Sequence, residues 1–213
     1  LHLCDRRQRQ MCIRDRSIYE VPLKMHQQHL DEIVLTKTGL PINGEPHLEP
    51  WLNFLHRMKN ATKTVRIGLV GKYVELPDAY KSINESLFQA ATYNDRKLDL
   101  QYIHSEKLNS GNVDAMLSSL DGVLIAPGFG QRGIEGKFIA LKYAREHDIP
   151  TFGVCLGMQC MVIEYARDVL GYTDANSTEM DVTTKHNVID LMEEQKSITN
   201  MGCLLYTSDA ADD

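Results

Sequence analysis

No apolar run in this chain approaches the roughly 18 residues that a membrane span requires. The opening Leu1-His2-Leu3-Cys4-Asp5-Arg6-Arg7 has no apolar core of secretory-signal length. Nor is there an excess of basic charge. Lys and Arg number 23 against 29 Asp and Glu, a formal net charge of -6, which argues against nucleic acid or an anionic membrane as the main partner. The five cysteines, Cys4, Cys12, Cys155, Cys160 and Cys203, form an odd and scattered set with neither metal-ligand spacing nor a disulfide framework. A reduced, cytoplasmic protein without a metal site is the expectation. No internal repeat is present. With 213 residues, 43% of them hydrophobic and 24% charged, the composition is globular and allows one ordinary domain plus an appendage.

Apolar patterning from residue 65 onward alternates between the two periods. Val65-Arg66-Ile67-Gly68-Leu69-Val70-Gly71 reads as a buried strand, and a helix is expected from Pro77 with Ile83, Leu87, Ala90 and Ala91 on one face. Further strands are expected over 98–103, 121–126 and 151–154, and further helices over 112–120, 134–147 and 156–170. Such alternation with short connections implies an α/β fold: a doubly wound, mainly parallel sheet with helices on both faces. Residues 17–64 break the pattern. They hold Pro22, Pro41, Pro46 and Pro50 and read as a linker with helices near 23–30 and 49–59.

The stretch Pro150-Thr151-Phe152-Gly153-Val154-Cys155-Leu156-Gly157-Met158-Gln159 carries the strongest chemical signal. An apolar strand runs into a Gly-x-Cys-x-Gly turn and then a helix, the geometry that presents a nucleophile at the tip of a tight strand-to-helix elbow. A sulfur there faces free N–H groups and the positive end of the helix dipole, which favour negative charge. Cys155 is thus a candidate nucleophile, the alternative being a buried cysteine packing as a small hydrophobe. Pro127-Gly128-Phe129-Gly130-Gln131-Arg132-Gly133 follows the expected neighbouring strand. Its glycines allow backbone N–H groups of Gly128 or its neighbour, with that of Leu156, to face a developing oxyanion. The alternative is a plain glycine-rich turn. Both segments fall at the carboxyl ends of strands, where sites of open α/β sheets lie. A thiolate also needs a proton shuttle. His47 lies in the linker, His147 ends a helix and His186 sits in a polar segment, so none of the eight histidines is a credible base.

Together these motifs resemble the class I (triad) glutamine amidotransferases. Gly153-Val154-Cys155-Leu156-Gly157-Met158-Gln159 is similar to that family's nucleophile elbow. Three other stretches resemble its CTP synthase branch. Gly71-Lys72-Tyr73-Val74-Glu75-Leu76-Pro77-Asp78-Ala79-Tyr80-Lys81-Ser82 is similar to the start of the glutaminase domain. Pro127 to Gly136 is similar to the oxyanion loop, and Asp174-Ala175-Asn176-Ser177-Thr178-Glu179 to a glutamine-binding segment. Ser17-Ile18-Tyr19-Glu20-Val21-Pro22-Leu23 is similar to the end of the synthetase domain. The resemblance covers about residues 17–202. It implies that Cys155 attacks the side-chain carbonyl of L-glutamine to give a γ-glutamyl thioester, with oxyanion donors from Gly128 and Leu156. Glutamine would be held by Gly128, Leu156, Gly157, Met158, Gln159 and Glu179, the last suited to the α-ammonium. No cofactor is implied within this segment. In the parent enzyme, ATP and Mg²⁺ would activate UTP in a separate synthetase domain, GTP would be the positive effector, and that domain would assemble a homo-tetramer. The loop from Tyr73 to Lys81 is the candidate for coupling or ammonia passage.

Departures from the family accompany the resemblance. Pro127-Gly128 stands where the family often has two glycines. After Asn200-Met201-Gly202 the family continues to a glutamine-binding arginine and a His-x-Glu pair, whereas this chain reads Cys203-Leu204-Leu205-Tyr206-Thr207-Ser208-Asp209-Ala210-Ala211-Asp212-Asp213. Residues 1–16 and 203–213 read as non-native tails of the kind that adapter read-through leaves in assembled DNA. The expected layout is therefore a synthetase end and linker over 17–64 and a partial, C-terminally truncated glutaminase domain over 65–202. Such a fragment is expected to be inactive alone. Two other readings remain open: a non-catalytic glutamine-sensing or interaction module, and a stand-alone Cys hydrolase of similar fold, such as a γ-glutamyl hydrolase or a DJ-1-like protein.

Overall fold

The computed structural model describes residues 17–76 and 78–190. Pro77 and the stretches 1–16 and 191–213 lie outside the described residues. The chain divides into two compact units, Leu1–Thr64 with Phe88–Lys97 and Val65–Leu87 with Leu98–Asp213.

In the first unit a 3-10 turn (Ile18–Glu20) leads into α1 (Val21–Gln27), followed by α2 (Leu30–Thr38) and α3 (Glu49–Asn60). Pro22 and Pro50 stand in the first turns of α1 and α3, where a missing N–H costs nothing. Apolar contact is concentrated in four rings. Tyr19 stacks on Phe88 with centroids 5.3 Å apart, Trp51 on Phe54 at 5.5 Å, and the Trp51 indole N–H donates to the Tyr19 carbonyl at 2.8 Å. The single helix expected over 23–30 is instead two. α1 stops at Gln27, and His29 takes a left-handed conformation (φ 55°) from which α2 starts in a new direction. α2 ends on Gly39, also left-handed, an ordinary helix terminator.

The remaining elements are β1 (Lys63–Gly71), α4 (Lys81–Tyr93), β2 (Arg96–His104), α5 (Val113–Leu117), β3 (Gly122–Ile125), α6 (Ile134–Glu146), β4 (Thr151–Gly153), α7 (Leu156–Asp168), β5 (Asn176–Ser177) and β6 (Asn187–Ile189). Four strands form one sheet in the order β2-β1-β3-β4, and β1, β3 and β4 run parallel, with Val70 opposite Ile125 and Ile125 opposite Gly153. Side chains alternate across the pleat. Val70, Ile103, Val123 and Ile125 point to one face, where α5, α6 and α7 cover them with Leu117, Ala140, Leu141, Leu156 and Cys160. Leu69, Leu100, Leu124 and Ala126 point to the other, against Ile83 and Leu87 of α4. The sheet is therefore doubly wound, as the alternating pattern predicts. On the second face Phe152 lies beside Leu124 in register yet is 66% exposed.

Two expectations shift. Among the described residues the helix predicted from Pro77 begins at Lys81; Tyr80 just before it is buried and its hydroxyl accepts from the Tyr73 N–H at 3.3 Å. The helix predicted over 112–120 spans only Val113–Leu117. The short parallel pair β5–β6 was not expected. It packs against α7, which itself packs against α6.

Two ion pairs tie α6 to α7, Lys142 with Asp168 at 3.3 Å and, more buried, Arg145 with Glu164. Arg145 donates from Nη2 to Glu164 at 2.8 Å and from Nε at 3.1 Å, and Glu164 is only 4% exposed. Removing the partner of a buried carboxylate is costly. Arg145→Ala is expected to destabilise the fold by about 2 kcal/mol, below the fully buried range because the guanidinium is partly solvated. Urea unfolding measures it, and a change under about 0.5 kcal/mol contradicts the pairing role.

Candidate active site

Cys155 occupies the junction between β4 and α7. It is exposed, caps the amino end of α7, and has φ 53° and ψ -113°, a conformation that side chains other than glycine rarely adopt. The surrounding packing imposes this. A methyl group on Gly157 would lie 2.1 Å from the Ile125 carbonyl oxygen of β3, and one on Gly153 would lie 2.5 Å from the Met158 backbone nitrogen. Only hydrogen at both positions lets the first turn of α7 approach β3 and β4 so closely. The strain at Cys155 is the consequence, and it turns the thiol outward. Cys160, one turn further along α7, is its opposite: fully buried in the core, with burial pushing its thiol up to about 11.

Pro127 and Gly128 leave the carboxyl end of β3, the strand paired with β4, so Gly128 and Cys155 emerge from neighbouring strand ends. A methyl group on Gly128 would sit 3.9 Å from Leu156 Cδ2 and 3.5 Å from Lys72 Cε, which places the glycine between those two side chains. Leu156 is the first residue of α7, where backbone N–H groups have no partner inside the helix. Phe129 points outward and is largely exposed.

Two lysines hold this loop. Lys72 is buried and donates from Nζ to the Phe129 carbonyl. Lys137, on the core face of α6, donates to the Ala126 carbonyl at 2.7 Å. Burial depresses the Lys137 ammonium, and the neighbouring Lys72 adds to that. Neither residue was singled out from the sequence. The available signal was a lysine at the second position of the stripe Ile134, Lys137, Leu141, Ala144, where an apolar residue belongs.

Among the residues that the resemblance assigns to glutamine, Gly157 is buried as a packing contact and Met158 is exposed. The Gln159 side-chain oxygen is buried and accepts no hydrogen bond among the described residues, leaving it open to a donor. Glu179 is exposed and follows β5, its N–H capped by Ser177 Oγ at 3.2 Å. Gln131 ties its neighbour to the loop after β3, donating to the Met180 carbonyl at 2.7 Å. The structure thus links the 127–133 loop, the elbow and the 177–180 turn through β3, α7 and Gln131.

Neither His147 nor His186, which share a unit with Cys155, hydrogen-bonds the thiol. His147 bonds the Tyr143 carbonyl at 2.8 Å and stacks on its ring, His186 bonds Asp174 at 2.6 Å, and His47 is exposed on the chain before α3. On the other side of the loop, Tyr73 lies against Lys72 and Arg132. A cavity of about 540 Å³ lined by Gln131, Phe138, Arg167 and Met180 includes neither Cys155 nor Glu179. Among the described residues no helix is long and apolar enough to cross a membrane.

An exposed, strained cysteine at a helix amino end beside a glycine loop is an arrangement chemically suited to one class of site, acyl transfer by a thiol nucleophile. The class I glutamine amidotransferase family matches residues 75–209, and the chain belongs to it. Its similar relatives include the CTP synthase of Bacteroides fragilis, 68% identical over 186 residues, covering 87% of this chain and 35% of that protein. The CTP synthase of Porphyromonas gingivalis is 61% identical over 186 residues, covering 87% and 34%. A solved structure, the glutaminase domain of Trypanosoma brucei CTPS with bound acivicin, superposes with a TM-score of 0.58 at 40% identity, covering 62% of this chain and 52% of that one. The chain spans about a third of the length of these curated relatives.

Gly157→Ala tests the elbow. The added methyl meets backbone rather than a movable side chain, so the expected cost is at least about 3 kcal/mol, read by chemical denaturation. A variant as stable as the parent contradicts the close approach of α7 to β3.

Proposed function

We propose that this chain is the nucleophile-bearing part of the glutaminase domain of a CTP synthase. The exposed Cys155 in its strained elbow is the observation that carries the reading. Cys155 attacks the side-chain carboxamide carbon of L-glutamine. The negative charge that develops on the oxygen is met by the N–H groups of Gly128 and Leu156, donors of a kind that contribute roughly 3–4 kcal/mol to such transition states. Ammonia leaves, and water hydrolyses the resulting γ-glutamyl thioester. Glu179 pairs with the substrate α-ammonium, and the unpartnered Gln159 oxygen accepts a hydrogen bond from bound glutamine. Gly157 acts by letting α7 approach the sheet, with Met158 at the rim.

The proton shuttle is not among the described residues, and a site of this kind loses several orders of magnitude without one. In the whole enzyme, ammonia passes to a synthetase domain, where ATP and Mg²⁺ activate UTP for amination, with GTP as effector. That domain also carries tetramer assembly. Residues 17–64 are then the end of that domain and the linker, and a cytoplasmic location follows from those substrates.

The test uses the full-length parent carrying this segment. Cys155→Ser is expected to lower glutamine-dependent CTP formation by at least about 10³-fold while leaving ammonia-dependent formation within about twofold. Glutamine-dependent synthesis persisting in that variant overturns the assignment.

A further inference from the structure

Lys137 is 1% exposed, and among the described residues no carboxylate pairs with it. A buried ammonium is costly, and an apolar side chain of similar volume ordinarily serves a helix core position better. Its hydrogen-bond partner suggests why it stands there. β1 and β3 pair as far as Val70 and Ile125, and the Ala126 N–H still reaches the Val70 carbonyl at 2.9 Å. The Ala126 carbonyl lies one step past that last pair, and β1 ends at Gly71. Lys137 Nζ takes the place of the missing ladder donor, at 2.7 Å.

That carbonyl belongs to the peptide joining Ala126 to Pro127. Holding it fixes the plane of the peptide entering the loop. The proline ring then fixes φ of residue 127 near -65°. One soft torsion, ψ of Pro127, remains before the Gly128 N–H. Beyond Gly128 the Phe129 carbonyl is held by Lys72. The loop is thus anchored on both sides of its central N–H, with Pro127 where flexibility would otherwise enter.

We infer that Lys137 is a positioning residue for the oxyanion donor: its hydrogen bond to the Ala126 carbonyl aims the Gly128 N–H at the position where the reacting oxygen becomes negative. This rests on the glutaminase reading and deepens it. Because the donor is needed most when charge develops, losing its aim lowers turnover and leaves ground-state binding of glutamine largely alone. Lys137 acts on the donor through the carbonyl; its charge also reaches the Cys155 sulfur electrostatically, a contribution that Lys137→Arg keeps and Lys137→Met removes.

The test compares wild type, Lys137→Met and Lys137→Arg in the full-length parent. Methionine keeps the apolar stem and removes the donor; arginine keeps a charged donor. For Lys137→Met, kcat for glutamine hydrolysis is expected to fall about 10- to 100-fold with KM within about threefold. Alkylation of Cys155 by iodoacetamide, measured at a pH where the thiol is fully ionised so that the lost charge does not change the thiolate fraction, needs no oxyanion donor and stays within about threefold of wild type. Lys137→Arg recovers kcat to within about tenfold of wild type. If Lys137→Met does not fold, the arginine variant alone decides, a loss beyond about tenfold overturning the role. A wild-type kcat in Lys137→Met, or a parallel fall of kcat and alkylation rate, also overturns it, the latter by showing general damage. A wild-type parent that does not hydrolyse glutamine fails the glutaminase reading itself, and the positioning role with it.

Discussion

The contact between Gly157 and the Ile125 carbonyl decides where everything else goes. β4 is only three residues long, and the chain must turn from it into α7 while keeping the helix against the sheet. With no side chain at Gly153 or Gly157, the turn closes tightly and the residue at its tip is forced to positive φ. That residue cannot also point into the core, so it faces outward, while Cys160 on the same helix is buried. The same approach sets Leu156 beside Gly128. One steric constraint therefore exposes the thiol and brings the loop of the neighbouring strand next to it.

Electrostatics supply the second layer. Ordinary sheet pairing ends where the functional loop begins, and the carbonyls there need donors that strands no longer provide. Two lysines from different elements, Lys72 after β1 and Lys137 on α6, supply them. The same two groups that complete the fold hold the loop that would carry the oxyanion donor in the proposed acyl transfer.

Much of this was legible in the sequence. Long apolar runs and helical stripes placed the sheet strands and α6 and α7 to within a few residues, because burial on one or both faces dictates composition there. The elbow was legible because Gly153 and Gly157 flank Cys155 at a spacing that few other structures require. What failed was local. Nothing in Gln28-His29 marks a helix break, since the left-handed turn at His29 uses neither glycine nor proline. Among the described residues the helix expected from Pro77 starts only at Lys81, next to the buried Tyr80. β5 and β6 are two and three residues long, too short to show a period. The role of Lys137 was hidden because a lysine on a helix reads as solvated until the helix is seen to bury it.

The central claim is that the elbow presents Cys155 as a nucleophile toward glutamine. The most direct measurement is mass spectrometry of the full-length parent after incubation with 6-diazo-5-oxo-L-norleucine, an electrophilic glutamine analogue. The account predicts a single covalent adduct on Cys155, none on Cys160, and its suppression by excess glutamine. Labelling that spares Cys155, or that glutamine does not suppress, contradicts it.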